Sequence, residues 1–442
     1  MKKLTSIFLL CVFLLQSCAK EERPIEIDSD QFHDLIDKVT DVMVHDVFSP
    51  PVASRVYVYP NIAAYQALNY EEGAYKSLTG QLNGLEAMNT KPELTNVNKE
   101  LAAIIAYLDV AKELVFSKEE ITMYRDSLYN NWKTSNTGTF KASKDFGLTV
   151  SSHILDWMAD DFYTETRTMP EFTVHSEDPS RWQPTPPAYM KGIEPNWMKL
   201  RTFALDSAAQ FKPIPPPTFS LEEGTAFYRE LMDVYTTTNE IQKKGDSSEE
   251  VQIAQFWDCN PFVTVNKGHY MFASKKITPG AHWIGICKIA ANKTEADFNK
   301  TVFAYTKTSI AIADAFISCW DEKYRSNLIR PETLINKYID EDWLPLLQTP
   351  PFPEYTSGHS VVSGAAAEAL TSIFGDDFAF DDTTELPYGL PVRTFSSFRT
   401  AAEEAAISRV YGGIHYNAAV YEGIGQGINV GEWLNENVQF QN

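Results

Sequence analysis

The amino-acid sequence predicts an all-α protein with two helical bundles and a proline-rich irregular segment packed between them. Three observations support this class. Apolar residues recur at steps of three and four along much of the 442-residue chain, no series of alternating strands stands out, and prolines cluster in one region. With 44% hydrophobic residues, the chain can bury a sizeable core, as one large or two ordinary domains.

Residues 1–18 are predicted to be a lipoprotein signal peptide. Lys2 and Lys3 precede a mostly apolar run of about 12 residues, which is too short to span a bilayer but suits a secretory signal. The run ends at Leu15-Gln16-Ser17-Cys18, which resembles the lipobox of bacterial lipoproteins, where Cys18 would become the acylated first residue. The next four residues, 19–22, resemble a surface-export signal of some Gram-negative lipoproteins. We therefore expect an anchor in the bacterial cell envelope, most readily the outer membrane; an ordinary cleaved signal is the alternative.

The region from residue 19 to residue 166 is predicted to be an N-terminal helical bundle. Apolar stripes with helical spacing occur at residues 32–48, 52–70 and 146–162. A further stripe consists of Ile104, Tyr107, Leu108, Ala111, Leu114 and Val115.

Residues 167–220 are predicted to be an irregular segment packed against the bundles. Ten of the 24 prolines lie there, and proline removes backbone donors and fixes φ, so a long helix is excluded. The segment also holds four large aromatic residues, which favour packing over a flexible linker: Trp182, Trp197, Phe203 and Phe211.

Residues 221–442 are predicted to form a C-terminal helical bundle, with helices near 221–238, 295–321, 357–374, 397–411 and 418–435. Cysteines 259, 287 and 319 lack the spacing of a zinc site and are expected to be buried thiols, with one disulfide left open. Short acidic runs such as Asp381-Asp382 are expected to be solvated. The formal net charge of −21 argues against a nucleic-acid partner.

Residues able to hold an anion are concentrated in three blocks of the C-terminal region. In the first block six residues separate Lys323 from Arg330-Pro331, a step of two helical turns, so that the two side chains could share one helix face. The second is Ser357-Gly358-His359, followed by an apolar helix whose N-terminus would attract an anion. The third is Ser408-Arg409, followed after five residues by His415. If the blocks converge, their donors would surround a tetrahedral oxyanion, with one imidazole left to bond its central atom and another to move protons.

This pattern resembles the signature of the vanadium haloperoxidases and the type 2 phosphatidic acid phosphatase superfamily, except that Thr356 replaces the usual proline. The resemblance implies a fold like that of vanadium chloroperoxidase. It implies that His415 is the vanadium ligand, or the phosphorylated nucleophile of a phosphatase, and that His359 is the acid–base residue. It also implies a set of residues that hold the oxyanion: Lys323, Arg330, Ser357, Gly358 and Arg409.

Four further features favour the haloperoxidase. Trp320 and Phe352 resemble aromatic residues beside the vanadate of chloroperoxidase-like members. The segment with Asp258 and Phe262 resembles a part of their halide pocket, and the chain is long enough for a second bundle. The resemblance then implies a vanadate cofactor acting as a Lewis acid on hydrogen peroxide, with Lys323 polarising the peroxide and a halide as the substrate, iodide being favoured and bromide possible.

Two alternatives stay open from the sequence. One is an acid phosphatase of the same superfamily, acting through a phosphohistidine without a metal. The other is a non-catalytic surface lipoprotein that binds an oxyanion or a glycan, although pure binding does not require an acid–base residue. The six histidines outside the motif are expected to have structural roles: His33, His45, His153, His175, His269 and His282.

Overall fold

A computed structural model describes residues 23–71, 73–89, 91–261, 264–267, 270–273 and 276–442. The predicted signal peptide with Cys18, and the predicted pocket residue Phe262, lie outside these residues. The helices are α1 Ser29–Asp46, α2 Pro50–Leu68, α3 Lys99–Leu114, α4 Lys118–Ser135, α5 Thr137–Ala159, α6 Tyr163–Thr166, α7 Ala226–Lys244, α8 Glu249–Phe256, α9 Pro279–Lys293, α10 Phe298–Ser326, α11 Pro331–Tyr338, α12 Gly358–Phe374, α13 Phe398–Tyr411 and α14 Asn417–Asn437.

Helices dominate the described residues, and the predicted all-α class is confirmed. The strands form two antiparallel pairs: β1 Thr264–Lys267 with β2 Tyr270–Ala273, and β3 Phe380–Asp382 with β4 Arg393–Phe395. Strands of three or four residues are too short to produce a readable alternation of apolar and polar residues. None of the helices in the described ranges is both long and apolar enough to cross a bilayer.

Helix α10 lies at the centre of the fold. Asp297 caps its N-terminus by accepting a hydrogen bond from the Lys300 backbone at 2.8 Å. The helix packs against α2, which is buried along its whole length, and against α9 and α12. One hydrophobic cluster extends from Ile25 to Phe440, so residues from both predicted bundles share a core. The predicted domain boundaries themselves stay predictions.

The proline-rich segment is irregular, as predicted. Its secondary structure consists of one 3-10 turn, Trp197–Lys199, and one isolated β-bridge, and the segment is packed against the helices. Trp182 and Trp197 are buried. The buried carboxylate of Asp314 on α10 accepts three backbone hydrogen bonds from residues 203–205, at 2.7, 2.7 and 3.1 Å. These bonds satisfy donors of the irregular segment and fix it to the central helix.

Helices α12 and α14 approach closely because glycines line their contact. A Cβ atom built on Gly427 would lie 2.0 Å from the Val361 carbonyl oxygen, and one on Gly364 would lie 2.7 Å from that of Ile424. No side chain fits at either position without moving backbone. The contact brings together the start of α12, which carries His359, and the start of α14, which follows His415.

The three cysteines among the described residues, Cys259, Cys287 and Cys319, are buried and free. The expectation of buried thiols is confirmed.

Candidate active site

The three sequence blocks converge at the ends of five helices. Lys323 lies in the last turn of α10, Arg330 caps α11, and His359 lies in the first turn of α12. Arg409 lies in the last turn of α13, and His415 lies just before α14. All except the half-buried His359 are buried, and we call these five residues the oxyanion pocket.

Lys323 and Arg330 converge by a different route from the one predicted. Helix α10 ends at Ser326, and Asn327 adopts a left-handed conformation with φ of 47°. Its backbone N–H closes the helix on the Lys323 carbonyl at 2.8 Å. The expected shared helix face is therefore wrong, because Arg330 belongs to the extended residues that precede Pro331.

The ammonium of Lys323 is held by backbone carbonyls. It donates to the carbonyls of Pro353 and Glu354 at 3.0 and 3.1 Å, and also to that of Thr356. Burial lowers the pKa of Lys323 to about 8. To contact an oxyanion, the ammonium would have to turn away from one of these carbonyls.

Arg330 is positioned by neighbouring backbone and keeps one donor free. Its Nε donates to the Phe352 carbonyl at 3.0 Å and its Nη1 to the Ile414 carbonyl at 2.8 Å. Its Nη2 is buried without a hydrogen-bond partner. Burial lowers its pKa to about 10, so the guanidinium stays charged at neutral pH.

Glu354 orients the imidazole of His415. The Nδ1 of His415 lies 2.7 Å from Glu354 Oε1, which also accepts the Tyr416 backbone N–H at 3.0 Å. Arg330 Nη1 can only donate, and it lies 3.1 Å from Nε2, so the Nε2 lone pair accepts this hydrogen bond and Nδ1 carries the proton. Burial, reinforced by Arg330 and Lys323, holds the pKa of His415 well below its usual range. The sequence analysis missed this role of Glu354, since nothing in the sequence shows its proximity to residue 415.

His359 faces the cavity with an unused nitrogen. Its Nε2 is buried without a partner, while a hydrogen bond to the Trp257 backbone engages the ring. Burial and the charge of Arg409 keep its pKa well below the ordinary value, so the imidazole is neutral and able to accept a proton. Ser357 caps α12 and accepts a hydrogen bond from the Ser360 backbone at 3.4 Å.

Arg409 and the predicted aromatic residues lie at the same cavity. Arg409 donates from Nε to Ser408 Oγ at 3.1 Å and from Nη2 to the Ala254 carbonyl at 3.4 Å. The rings of Trp320 and Phe352 lie 5.1 Å apart, centroid to centroid. The cavity is lined by Trp320, Phe352, Gly358, His359, Arg409 and His415, together with the predicted halide-pocket residue Asp258.

Asp258 is paired rather than free. Its Oδ2 accepts from Lys276 at 2.6 Å, whereas its Oδ1 is buried without a partner. Lys276, which lies just before α9, thus offsets the negative charge of Asp258 at the cavity wall.

The chemistry of this pocket fits vanadate. Arg330 Nη2 and His359 Nε2 are buried polar atoms that lack partners, and an oxyanion would supply acceptors or protons for them. His415 offers one imidazole lone pair with its tautomer fixed by a carboxylate, the arrangement that metal-binding histidines use.

Comparisons with known proteins agree with this assignment. Residues 303–442 match the family described as VCPO second helical-bundle domain. A crystal structure of a bacterial vanadium-dependent iodoperoxidase is 59% identical, with a TM-score of 0.92, covering 96% of this chain and 99% of that one. No curated protein sequence matched significantly.

Two more distant structures share the fold. The holo and apo forms of a bacterial vanadium-dependent chloroperoxidase are 14% and 17% identical, with TM-scores of 0.64 and 0.65. The matches cover 88% of this chain in each case, and 93% and 94% of the respective chloroperoxidase chains. The identity and coverage of the iodoperoxidase match, together with the converged motif, lead to one conclusion: the chain belongs to the vanadium-dependent haloperoxidase family.

Proposed function

We propose that this protein oxidises a halide with hydrogen peroxide, using vanadate as its cofactor, and that iodide is its preferred halide. The observation that carries the proposal is the buried oxyanion pocket, in which His415 presents a lone pair beside a partnerless arginine nitrogen. The preference for iodide is supported by the 59% identity to an iodoperoxidase.

Bound vanadate would supply a Lewis-acid centre that accepts peroxide and activates it for attack by a halide. His415 would provide the protein ligand through Nε2, and Glu354 would hold that ring in place. Arg330, Arg409 and Lys323 would neutralise the oxygens by charged hydrogen bonds, with Ser357 and the Gly358 backbone as neutral donors.

His359 would move the proton. Its neutral imidazole, with a free Nε2 facing the cavity, can take a proton as peroxide binds and return it later. The adjacent rings of Trp320 and Phe352 give one wall an apolar, polarisable surface. A large halide such as iodide loses little hydration energy at such a wall, and the nearby cations attract it.

We also propose that the protein is anchored by lipid in the bacterial outer membrane. Support comes from the basic start, the short apolar run and the lipobox-like sequence that ends at Cys18. Mass spectrometry of the membrane fraction should find an acylated N-terminal peptide beginning at Cys18. In a Cys18→Ala variant the acyl mass and the membrane association should both be lost.

The activity is tested on the soluble form, residues 19–442, reconstituted with vanadate. Peroxide-dependent oxidation of iodide, bromide and chloride is measured beside hydrolysis of a phosphate ester. We expect iodide oxidation to be fastest and to depend on vanadate. Hydrolysis without halide oxidation would instead assign the pocket to a phosphatase.

A further inference from the structure

A second buried polar cluster adjoins the oxyanion pocket. Cys259 follows α8, His282 lies on α9, and Glu385 lies after β3, and their exposed fractions are 1%, 0% and 4%. Cys259 also lines the active-site cavity. We call these three residues the thiol cluster. They are far apart in sequence, so the tertiary fold alone brings them together.

The three ligand atoms are spaced as around a tetrahedral zinc ion. Cys259 Sγ lies 3.4 Å from His282 Nδ1 and 3.8 Å from Glu385 Oε1, and His282 Nδ1 lies 3.3 Å from Glu385 Oε1. Zinc bonds of about 2.3 Å to sulfur and about 2.0 Å to nitrogen and oxygen, at tetrahedral angles, require edges of about 3.3 to 3.6 Å. The observed triangle needs only small adjustments to accept the ion.

The far side of His282 has the partner that a metal-binding histidine requires. Its Nε2 lies 2.8 Å from Asp382 Oδ2, and the carboxylate of Asp382 is fully buried. Thr384 Oγ1 lies 2.7 Å from the same nitrogen and donates to Asp382 Oδ1, also at 2.7 Å. With Nε2 donating to Asp382, Nδ1 faces Cys259 and Glu385, and loss of its proton would give the lone pair that binds a metal.

We propose that Cys259, His282 and Glu385 bind one zinc ion, with water completing the fourth position. Thiolate, imidazole and carboxylate together suit zinc better than magnesium or calcium, which prefer oxygen ligands alone. Bonds form from zinc to sulfur, nitrogen and oxygen, while the thiol and imidazolium protons pass to solvent. Two protons are thus exchanged for one divalent cation, and the charge of the buried cluster does not change.

The ion would fasten three separate segments to one another. One of them, residues 258–260, forms a wall of the active-site cavity and includes Asp258. Zinc would therefore have a structural role beside the vanadate chemistry and would not take part in it.

Metal content tests the proposal directly. The soluble form, residues 19–442, is incubated with zinc, dialysed and analysed by inductively coupled plasma mass spectrometry, without vanadate, peroxide or halide. We expect about one equivalent of zinc per chain. Replacement by cobalt(II) should give a thiolate-to-cobalt charge-transfer band and the visible absorption of a tetrahedral site. Because no activity is measured, failure of the haloperoxidase assay would leave this result intact.

Matched variants separate the cluster from other thiols. Cys259→Ser should lose the zinc equivalent and the charge-transfer band. Cys287→Ser, which alters another buried free thiol on α9, should retain both. Should Cys259→Ser fail to fold, the cobalt spectrum of the unaltered chain decides the question. The proposal is overturned if the unaltered chain retains less than about a tenth of an equivalent of zinc, or if cobalt binds to it without a thiolate band. It is also overturned if Cys259→Ser binds as much zinc as the unaltered chain.

Discussion

Two buried polar groups of residues lie side by side in this protein and have opposite electrostatic character. The oxyanion pocket gathers three cations, Lys323, Arg330 and Arg409, around two neutral imidazoles and leaves one donor, Arg330 Nη2, without a partner. The thiol cluster and its neighbour Asp382 combine two carboxylates with a thiol and one imidazole. The first arrangement is suited to an anion and the second to a cation.

The comparison shows that net charge does not predict what a buried site binds. A chain with a formal charge of −21 nevertheless buries three cations where an oxyanion would bind. The number of carboxylates at the imidazole differs as well. Glu354 contacts the imidazole of His415, whereas Asp382 and Glu385 both contact that of His282. The electrostatic potential of each site is set by the local arrangement of charged groups rather than by the overall composition.

The largest expected effect comes from removing the proposed vanadium ligand. His415→Ala should abolish vanadate binding and lower peroxide-dependent iodide oxidation by more than about 10⁴-fold, because the variant lacks the Nε2 lone pair that would bind vanadium. Equilibrium dialysis and steady-state kinetics measure the two effects. His175→Ala, which alters an exposed imidazole, should change neither. Full halide oxidation by His415→Ala would refute the role of His415 as the vanadium ligand and the assignment of the oxyanion pocket as an anion site.

Replacing the proposed acid–base residue should slow turnover more than it weakens binding. His359→Ala should lower kcat by about 10²- to 10³-fold, as expected for loss of a positioned proton carrier, and change the vanadate Kd far less. Parallel measurement of kcat and of Kd distinguishes this role from a purely binding one. Unchanged turnover would reject the assignment.

A variant of Glu354 tests whether the carboxylate that contacts His415 Nδ1 strengthens the binding of vanadate by His415. Glu354→Gln keeps the shape and an acceptor but loses the charge, so the vanadate Kd should rise by about 10- to 100-fold. The exposed Glu341→Gln is the control. An unaltered Kd with an intact fold would show that the 2.7 Å contact does not tune the ligand.

The smallest effect concerns pH. With its pKa lowered to about 8 by burial, Lys323 is charged below that pH and loses its charge above it. Vanadate affinity should therefore fall by up to about tenfold between pH 8 and 9, since deprotonation removes one cation. Vanadate itself titrates in alkali, so Lys323→Met is measured in parallel and should show a weaker fall. Identical profiles would exclude a role for the lysine charge.

The same measurement of vanadate affinity can be extended to acidic pH. Because the pKa of His415 lies well below 6.5, its imidazole stays neutral as the pH falls through that value. Affinity should thus persist at pH 6, where an ordinary histidine would be largely protonated.

Some of the site could be predicted from the sequence because its residues lie in short blocks with fixed local spacing. Ser357, Gly358 and His359 are adjacent, and the expected apolar helix begins at Gly358. The helical stripes of α1 and α3 were readable for the same reason: each depends on residues within a few turns of one another.

Other expectations failed where distant residues decide the outcome. Asp382 was expected to be solvated with its neighbour Asp381, yet it is fully buried against His282, a hundred residues earlier in the chain. Lys323 and Arg330 do not share a helix face, because Asn327 ends the helix between them. The thiol cluster has no sequence signature, since its three members come from three separate segments.

Helix periodicity and motif spacing are local properties of the chain, so the order of residues was enough to predict the class of fold, the resemblance to the family and the residues of the oxyanion motif. The tertiary structure decided which groups meet: Glu354 with His415, and Cys259 with His282 and Glu385. Such pairings follow from how helices pack around α10, and packing depends on surfaces that the linear order of residues does not display.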